Sequence, residues 1–296
     1  MTLTRRRLLM ASGAAALGAS AMSRTLLGAQ DGDRKRILYF TKSSGFQHSV
    51  INREADQLAH SETILIEVGK EHGFDVTASK DGRLFEPDRI DEWDGFVFYT
   101  TGDLTEPGSD GNPPMSPEGL EAFLEAIRSG RKGFVGIHCA TDTFHAPPDE
   151  GPTPFVEMIG AEFITHGPQQ VATVKVVDPD FPGAGPFGPT FEINDEWYAF
   201  RNMSDQIHAI MVQVTEGMQS GPRNDYGRPD YPNTWVKRYG EGRVFYTSMG
   251  HREDVWTNPK YQGLLIGGLN VATGRAEADF TPNVSEVTPG YQTLPG

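Results

Sequence analysis

Short apolar runs alternate along the chain with amphipathic stretches and Gly/Pro-rich breaks. Arg36-Ile-Leu-Tyr-Phe-Thr41 is a run of strand length, closed by Lys42-Ser-Ser-Gly45. From Asn52, a candidate N-cap, to Gly73 the apolar positions Ala55, Leu58, Ala59 and Ile66 follow helical spacing. Phe74–Ala78 reads as a second strand, and Gly95–Thr101 as a continuous apolar one of the kind buried on both faces. Ser116-Pro117-Glu118 starts a helix with an N-cap, a proline at the first position and an acid in the first turn. Leu120, Phe123, Leu124 and Ile127 form its inner face, and Gly130 ends it before the strand Gly133–His138.

Strand, helix, strand, strand, helix, strand is the order of an α/β fold with a parallel sheet covered by helices. Such sheets bind ligands beyond the carboxyl ends of their strands. That rule selects Gly45-Phe-Gln-His48, Thr101-Gly-Asp103 and His138-Cys-Ala-Thr-Asp142. The second half is richer in strands: 170–177, 207–214, and a hairpin of 234–239 with 243–248 turning at Gly240-Glu-Gly242. A closing helix spans 261–273, and 279–296 reads as an extended tail. Loops at 103–115, 145–154, 178–190 and 217–233 have the length of lids or binding walls. No break in composition divides the body, which reads as one domain over 31–278.

Composition narrows the partners. The 296 residues carry 40 acidic and 26 basic side chains, a net charge of −14, which disfavours nucleic acid and anionic membrane. One cysteine, Cys139, rules out an intrachain disulfide framework or a Cys-rich zinc module. Residues 1–30 read as a bacterial export signal: Arg5, Arg6 and Arg7 precede a short Ala/Gly/Leu stretch too short to span a bilayer. Thr4-Arg-Arg-Arg-Leu-Leu9 has the twin-arginine form, which implies a periplasmic or secreted product that crosses the membrane folded. No later segment approaches a transmembrane span.

Candidate chemistry lies with the histidines. His60, His72 and His208 fall inside predicted elements and read as surface or satisfied core residues, whereas His48, His138, His145, His166 and His251 fall at strand ends or in loops. On a parallel sheet, His48, His138 and His251 converge on one crevice. Glu196, among aromatics in Asn194-Asp-Glu-Trp-Tyr198, is the acid to add, with a raised pKa if buried. Imidazoles plus a carboxylate suit one divalent metal held by His48, His138 and His251, or metal-free acid/base work near neutral pH. No HExxH-like spacing decides between them. Cys139 stands one residue out of register with a Gly-x-nucleophile-x-small elbow, whose centre in Gly136-Ile-His-Cys-Ala140 is His138. Cys139 therefore reads as a buried small residue. Trp197 and Trp256, beside Glu196 and Asp254, are candidate stacking faces for a sugar ring.

Taken together, Gly45–His48, Thr101–Asp103, Gly136–Phe144, Phe163–His166, Asn194–Tyr198 and Tyr239–His251 resemble the ThuA-like (trehalose utilisation) family over about residues 34–275. The resemblance implies a flavodoxin-like, class I glutamine amidotransferase-like three-layer sandwich with a mostly parallel sheet. It also implies a role in catabolism of trehalose and related disaccharides, beside dehydrogenases that make 3-keto sugars. His48, His138, His166, Glu196 and His251 match the family's polar positions. His138 occupies the elbow where amidotransferases carry cysteine, so glutamine hydrolysis through a thioester is not expected.

The combined expectation is an exported enzyme acting on a keto-sugar or keto-glycoside. His138 or Glu196 would be the base, and His48 and His251 would polarise the carbonyl directly or through a metal. Asp103, Asp142, His166, Trp197 and Trp256 would contact the carbohydrate. A metal-dependent hydrolase of an unmodified glycoside or ester, and a carbohydrate-binding protein without turnover, remain as alternatives.

Overall fold

The computed structural model describes residues 34–295 except 56, 148 and 149; the export-signal expectation for residues 1–30 lies outside the described residues. The parallel half of the sheet is built from β1 (Lys35–Phe40), β2 (Phe74–Ser79), β3 (Gly95–Phe98) and β4 (Gly133–Ile137). Helices α1 (His60–Glu71) and α2 (Pro117–Arg128) connect them. Every residue of β3 and β4 is buried, as two covered faces require. α2 begins where its sequence says it must: Ser116 Oγ accepts from Gly119 N at 3.0 Å, with Pro117 in the first turn. Beyond β4 come α3 (Pro154–Ile159), β5 (Glu162–His166), β6 (Gln170–Val176), β7 (Thr190–Asp195), β8 (Tyr198–Arg201) and β9 (His208–Gln213). The hairpin β10 (Tyr231–Tyr239) and β11 (Gly242–Thr247), then α4 (Glu253–Trp256), α5 (Pro259–Ala272) and α6 (Val284–Val287), complete the order.

One nine-stranded sheet runs β2-β1-β3-β4-β11-β10-β9-β6-β7, with β5-β8 as a separate ladder. Its first five strands are parallel and follow the 2-1-3-4-5 order of flavodoxin-like sheets, with β11 as the fifth. α1 packs with α5, and α2 with α3, giving the three-layer α/β sandwich. The sheet then continues antiparallel through β10, β9, β6 and β7, an extension that the expectation of a mostly parallel sheet did not contain. Among the described residues no helix is long and apolar enough to cross a membrane.

Several boundaries differ from the sequence reading. α1 starts at His60, not after Asn52, because residues 49–51 form a separate helical turn that ends on Asn52. Buried Glu62 holds that segment back from the helix, accepting from Ala59 N (2.9 Å), Arg53 Nε (2.7 Å) and Thr41 Oγ1 (2.6 Å). The segment from 279 is not simply extended: α6 is a single helical turn, and Val284, Thr288 and Tyr291 are buried against the body. Docking the apolar side chains of that segment removes them from water, which an extended tail could not do.

Candidate functional site: a histidine-carboxylate centre at the sheet's carboxyl edge

Four chain segments meet beyond the carboxyl ends of β1, β4 and β11. His48 closes the loop after β1 and is buried. His138 is the first residue past β4, fully buried, with φ +46°, a left-handed conformation uncommon for a side chain this size. This is the strained turn of a nucleophile elbow. Gly136 permits it, since a Cβ there would lie 2.9 Å from Ile159, 3.0 Å from Tyr246 and 3.3 Å from Ala140. His251 follows β11 after Gly250, whose φ of +116° disfavours a side chain and where a Cβ would collide with the Tyr261 hydroxyl. Glu196 comes from the link between β7 and β8.

Ligand atoms of His48, His138, Glu196 and His251 all lie within 4.8 Å of one another. Glu196 Oε2 is 3.2 Å from His251 Nδ1 and 3.5 Å from His138 Nε2, and those two nitrogens are 3.3 Å apart. His138 Nδ1 donates to Ser248 O at 2.6 Å, which fixes the ring's orientation and turns Nε2 toward the carboxylate. Burial and the neighbouring imidazoles push the His48 pKa down to about 2, so its ring is neutral. Its Nδ1 is buried with no hydrogen-bond partner among the described residues, and its Nε2 is 3.4 Å from the Tyr198 hydroxyl.

The expected rise in the Glu196 pKa is reversed. Burial does oppose its ionisation, but hydrogen bonds and charge from His138 and His251 outweigh that and hold the carboxyl well below its usual range. For His251 burial is likewise the largest single influence, and it is overcome by Glu196, so the imidazole pKa is raised. Glu196 is thus a fixed anion and a weak base.

A residue the sequence reading passed over holds this arrangement. Fully buried Asp195 accepts from Gly250 N (2.7 Å) through one oxygen and from His251 N (3.1 Å) and Glu196 N (3.0 Å) through the other. It ties the end of β7 to the end of β11, although three strands lie between them. Four strand spacings of about 4.8 Å would put flat partners roughly 19 Å apart. The sheet must therefore coil, and the register shifts of β10 against β9 at Pro232–Trp235 supply a bend. The adjacent acids of Asn194-Asp195-Glu196 were the available signal, since alternation sends their side chains to opposite faces.

The remaining candidates divide. His166, at the rim and paired with Tyr198 across β5-β8, lies 3.4 Å from Glu196 Oε1 through Nδ1, which also meets Gly167 O at 2.9 Å. Asp142 pairs with His145 at 2.8 Å, outside the group of four. Asp103 is exposed and closes its own turn, accepting from Thr105 N and Oγ1. Trp197 and Trp256 are not stacking faces: both are wholly buried, their indole N–H groups donating to Gln170 O and Gly250 O. Large apolar rings with a backbone partner for the N–H are more stable inside than at a wet rim. Cys139 is buried, and burial pushes its thiol pKa well up, so the elbow presents an imidazole and no thiolate.

The family model for ThuA, trehalose utilisation, matches residues 36–272. The chain belongs to the ThuA family. Two ThuA-like proteins of known crystal structure share the fold. The one from Bacteroides uniformis is 17% identical, with 80% of this chain and 90% of that one covered and a TM-score of 0.57. The one from Parabacteroides merdae is 16% identical, covering 83% and 92%, at 0.59. A Salmonella typhimurium protein described as cytoplasmic is 14% identical, covering 80% and 98%, at 0.52. At these identities the likeness is one of fold. No curated protein sequence matches the chain. Membership of the ThuA family carries a carbohydrate-related role, and the histidine-carboxylate centre stands where this ThuA chain's sheet would bind a ligand.

Proposed function

We propose that this ThuA protein is an exported, divalent-metal-dependent enzyme of carbohydrate catabolism, acting on a keto-sugar or keto-glycoside derived from a disaccharide. The observation that carries the reading is the group of three imidazoles and one carboxylate within 4.8 Å. Tetrahedral ligands at roughly 2.1 Å from an ion lie about 3.4 Å from each other. The contacts among His138, His251 and Glu196 span 3.2 to 3.5 Å, so these three donors have the spacing of ligands on a first-row ion, with His48 in the same 4.8 Å group. The neutral His48 ring, the pinned His138 ring and the Asp195 clamp are the supports such donors need. The basic leader Arg5–Arg7 supports export.

A bound ion would polarise a carbonyl oxygen as a Lewis acid. The protein's own groups would do the rest. A ketone acidifies the neighbouring C–H, so a base there takes the proton and the C–H electrons form a double bond. The glycosidic oxygen then leaves with its electron pair and recovers the proton. With its charge held by two histidines, Glu196 is better suited to anchoring than to proton removal. His166 is the better base: its Nδ1 is engaged by Gly167 O, which leaves Nε2 as a free lone pair at the half-open rim. Acid/base catalysis of this kind contributes about 10²–10⁴-fold.

Elemental analysis of protein purified without chelator, together with turnover of 3-keto and unmodified disaccharides, tests the reading. About one divalent ion per chain, lost in His138→Ala, and consumption of the keto substrate alone are expected. Failure to hold an ion after loading, or hydrolysis of the unmodified glycoside with the ketone inert, would overturn it.

A further inference from the structure

Phe46 is the exposed aromatic of this site. The residue is 68% accessible, whereas the other large exposed apolar residues among those described, Leu58, Val171 and Leu294, are aliphatic. Isolated exposed apolar side chains are ordinary and need no explanation. What sets Phe46 apart is its place and the rigidity of its backbone. Its ring meets the His48 ring edge to face, centroids 4.9 Å apart, so it stands beside the histidine-carboxylate centre at about the width of one pyranose ring.

The loop that carries it is built to hold still. Thr101 Oγ1 donates to Phe46 O at 2.9 Å and accepts from Gly45 N at 3.3 Å, while Ser109 Oγ donates to Gly45 O at 2.7 Å. Ser44 N donates to Thr101 O at 2.9 Å. Gly102, at φ +76°, brings its backbone so close that a Cβ would lie 2.8 Å from Gly45 N. Two strand-end loops are thus pressed together, and the ring between them is presented to solvent on a fixed backbone. A preorganised apolar face beside a polar centre is how proteins receive the C–H face of a sugar, because little ordering cost remains to be met on binding.

We propose that Phe46 is the stacking platform for the second ring of a glycoside whose first ring occupies the histidine-carboxylate centre, so that this residue selects two-ring over one-ring ligands. The assignment rests on the carbohydrate reading of the site given above. It takes over the role that the buried Trp197 and Trp256 cannot perform.

The native tryptophans make a direct test available. Trp93, Trp197, Trp235 and Trp256 are all buried, so Phe46→Trp adds one exposed indole whose quenching by iodide reports on this position alone. The manganese-loaded variant is titrated with trehalose, sucrose, maltose, lactose and cellobiose, with their 3-keto forms, and with glucose as the one-ring control. At least one disaccharide should shield the introduced indole, and glucose should not. Phe46→Ala should bind that disaccharide about tenfold more weakly, about 1.4 kcal/mol, with glucose and manganese affinity unchanged. If no member of the panel shields the indole, or if Phe46→Ala binds the disaccharide as tightly as the native chain, the assignment fails. Shielding that persists while the native protein holds no ion and turns over no ketone would sink the proposed chemistry and leave Phe46's role standing.

Discussion

Asp195→Asn is the change that most directly tests how the site is held. The carboxylate accepts three backbone N–H groups, one through the oxygen facing Gly250 and two through the oxygen facing Glu196 and His251. Asparagine has nearly the same shape but only one acceptor oxygen. Its better orientation keeps the two bonds and turns an NH₂ group toward Gly250 N, donor against donor in a dry site. Losing one bond to a charged acceptor costs about 1.5–3 kcal/mol, and the stranded N–H adds a penalty of similar order. Against this, burial raises the Asp195 pKa, so removing the charge regains part of the loss. A net cost of about 2–3 kcal/mol is expected, which lowers Tm by roughly 4–10 °C for a chain of this size. Because the lost bond ties β7 to the turn that carries His251, divalent-ion affinity should fall with it, by about 10–100-fold, as for other groups that orient metal ligands. Thermal unfolding and manganese titration by calorimetry read both effects. A variant as stable as the native chain with unchanged ion affinity would refute the clamp. A variant destabilised as predicted but with native ion affinity would refute its link to the site.

Two further outcomes follow from buried groups that are not among the four donors of the centre. Lys237, buried in β10 with Nζ donating to Glu157 O at 2.7 Å, has its pKa pushed down by burial from 10.5 to about 8. The fold therefore penalises its charge below pH 8, and the penalty is relieved as pH rises to about 10.5, because the unfolded chain then holds the extra proton. At about 1.4 kcal/mol per unit and less about 1 kcal/mol for the lost hydrogen bond, Lys237→Met should be about 2 kcal/mol more stable at pH 7. That advantage should shrink between pH 8 and 10.5 in denaturant titrations, and a pH-independent difference would contradict the burial argument. Cys139, fully buried and with its thiol pKa raised by burial, should react with an aromatic disulfide reagent about a hundredfold or more slower in the native state than in denaturant. Labelling at the rate of a free thiol would mean that the elbow exposes position 139 and not His138.

How far the sequence was legible depended on whether a feature was local. α2 was readable to the residue because Ser116, Pro117 and Gly130 act on their own neighbours. The parallel core was readable because β1, β3 and β4 are unbroken apolar runs, and such runs arise where both faces are covered. By contrast α1 was drawn seven residues too long at its start, since its true beginning depends on Glu62 reaching Arg53, Ala59 and Thr41, and spacing says nothing about such contacts. The short pieces α3, β5, β7 and β8 went unread for a related reason. All four are too short for spacing to show a period, and β5 and β7 are partly buried, polar-rich segments that are strands mainly because a partner is there.

The site shows the same division, and it explains why one acid was found and its neighbour was not. His48, His138 and His251 could be placed together because the carboxyl edge of a parallel sheet is a topological consequence of strand order alone. Glu196 could be proposed only from its aromatic surroundings, and there the pKa inference failed, because burial was visible in the sequence while the two imidazoles beside it were not. Asp195 required more still. Its partners at Gly250 and His251 come within reach only because four antiparallel strands coil back over the end of β11, and that curvature arises from a register shift in β10. A period-two pattern specifies which face a residue takes, never how far a sheet has turned before it gets there. The antiparallel extension thus completes the site. It carries the anion and its clamp to a cluster of imidazoles that the flavodoxin-like half supplies but could not hold together at 3.2 to 3.5 Å unaided.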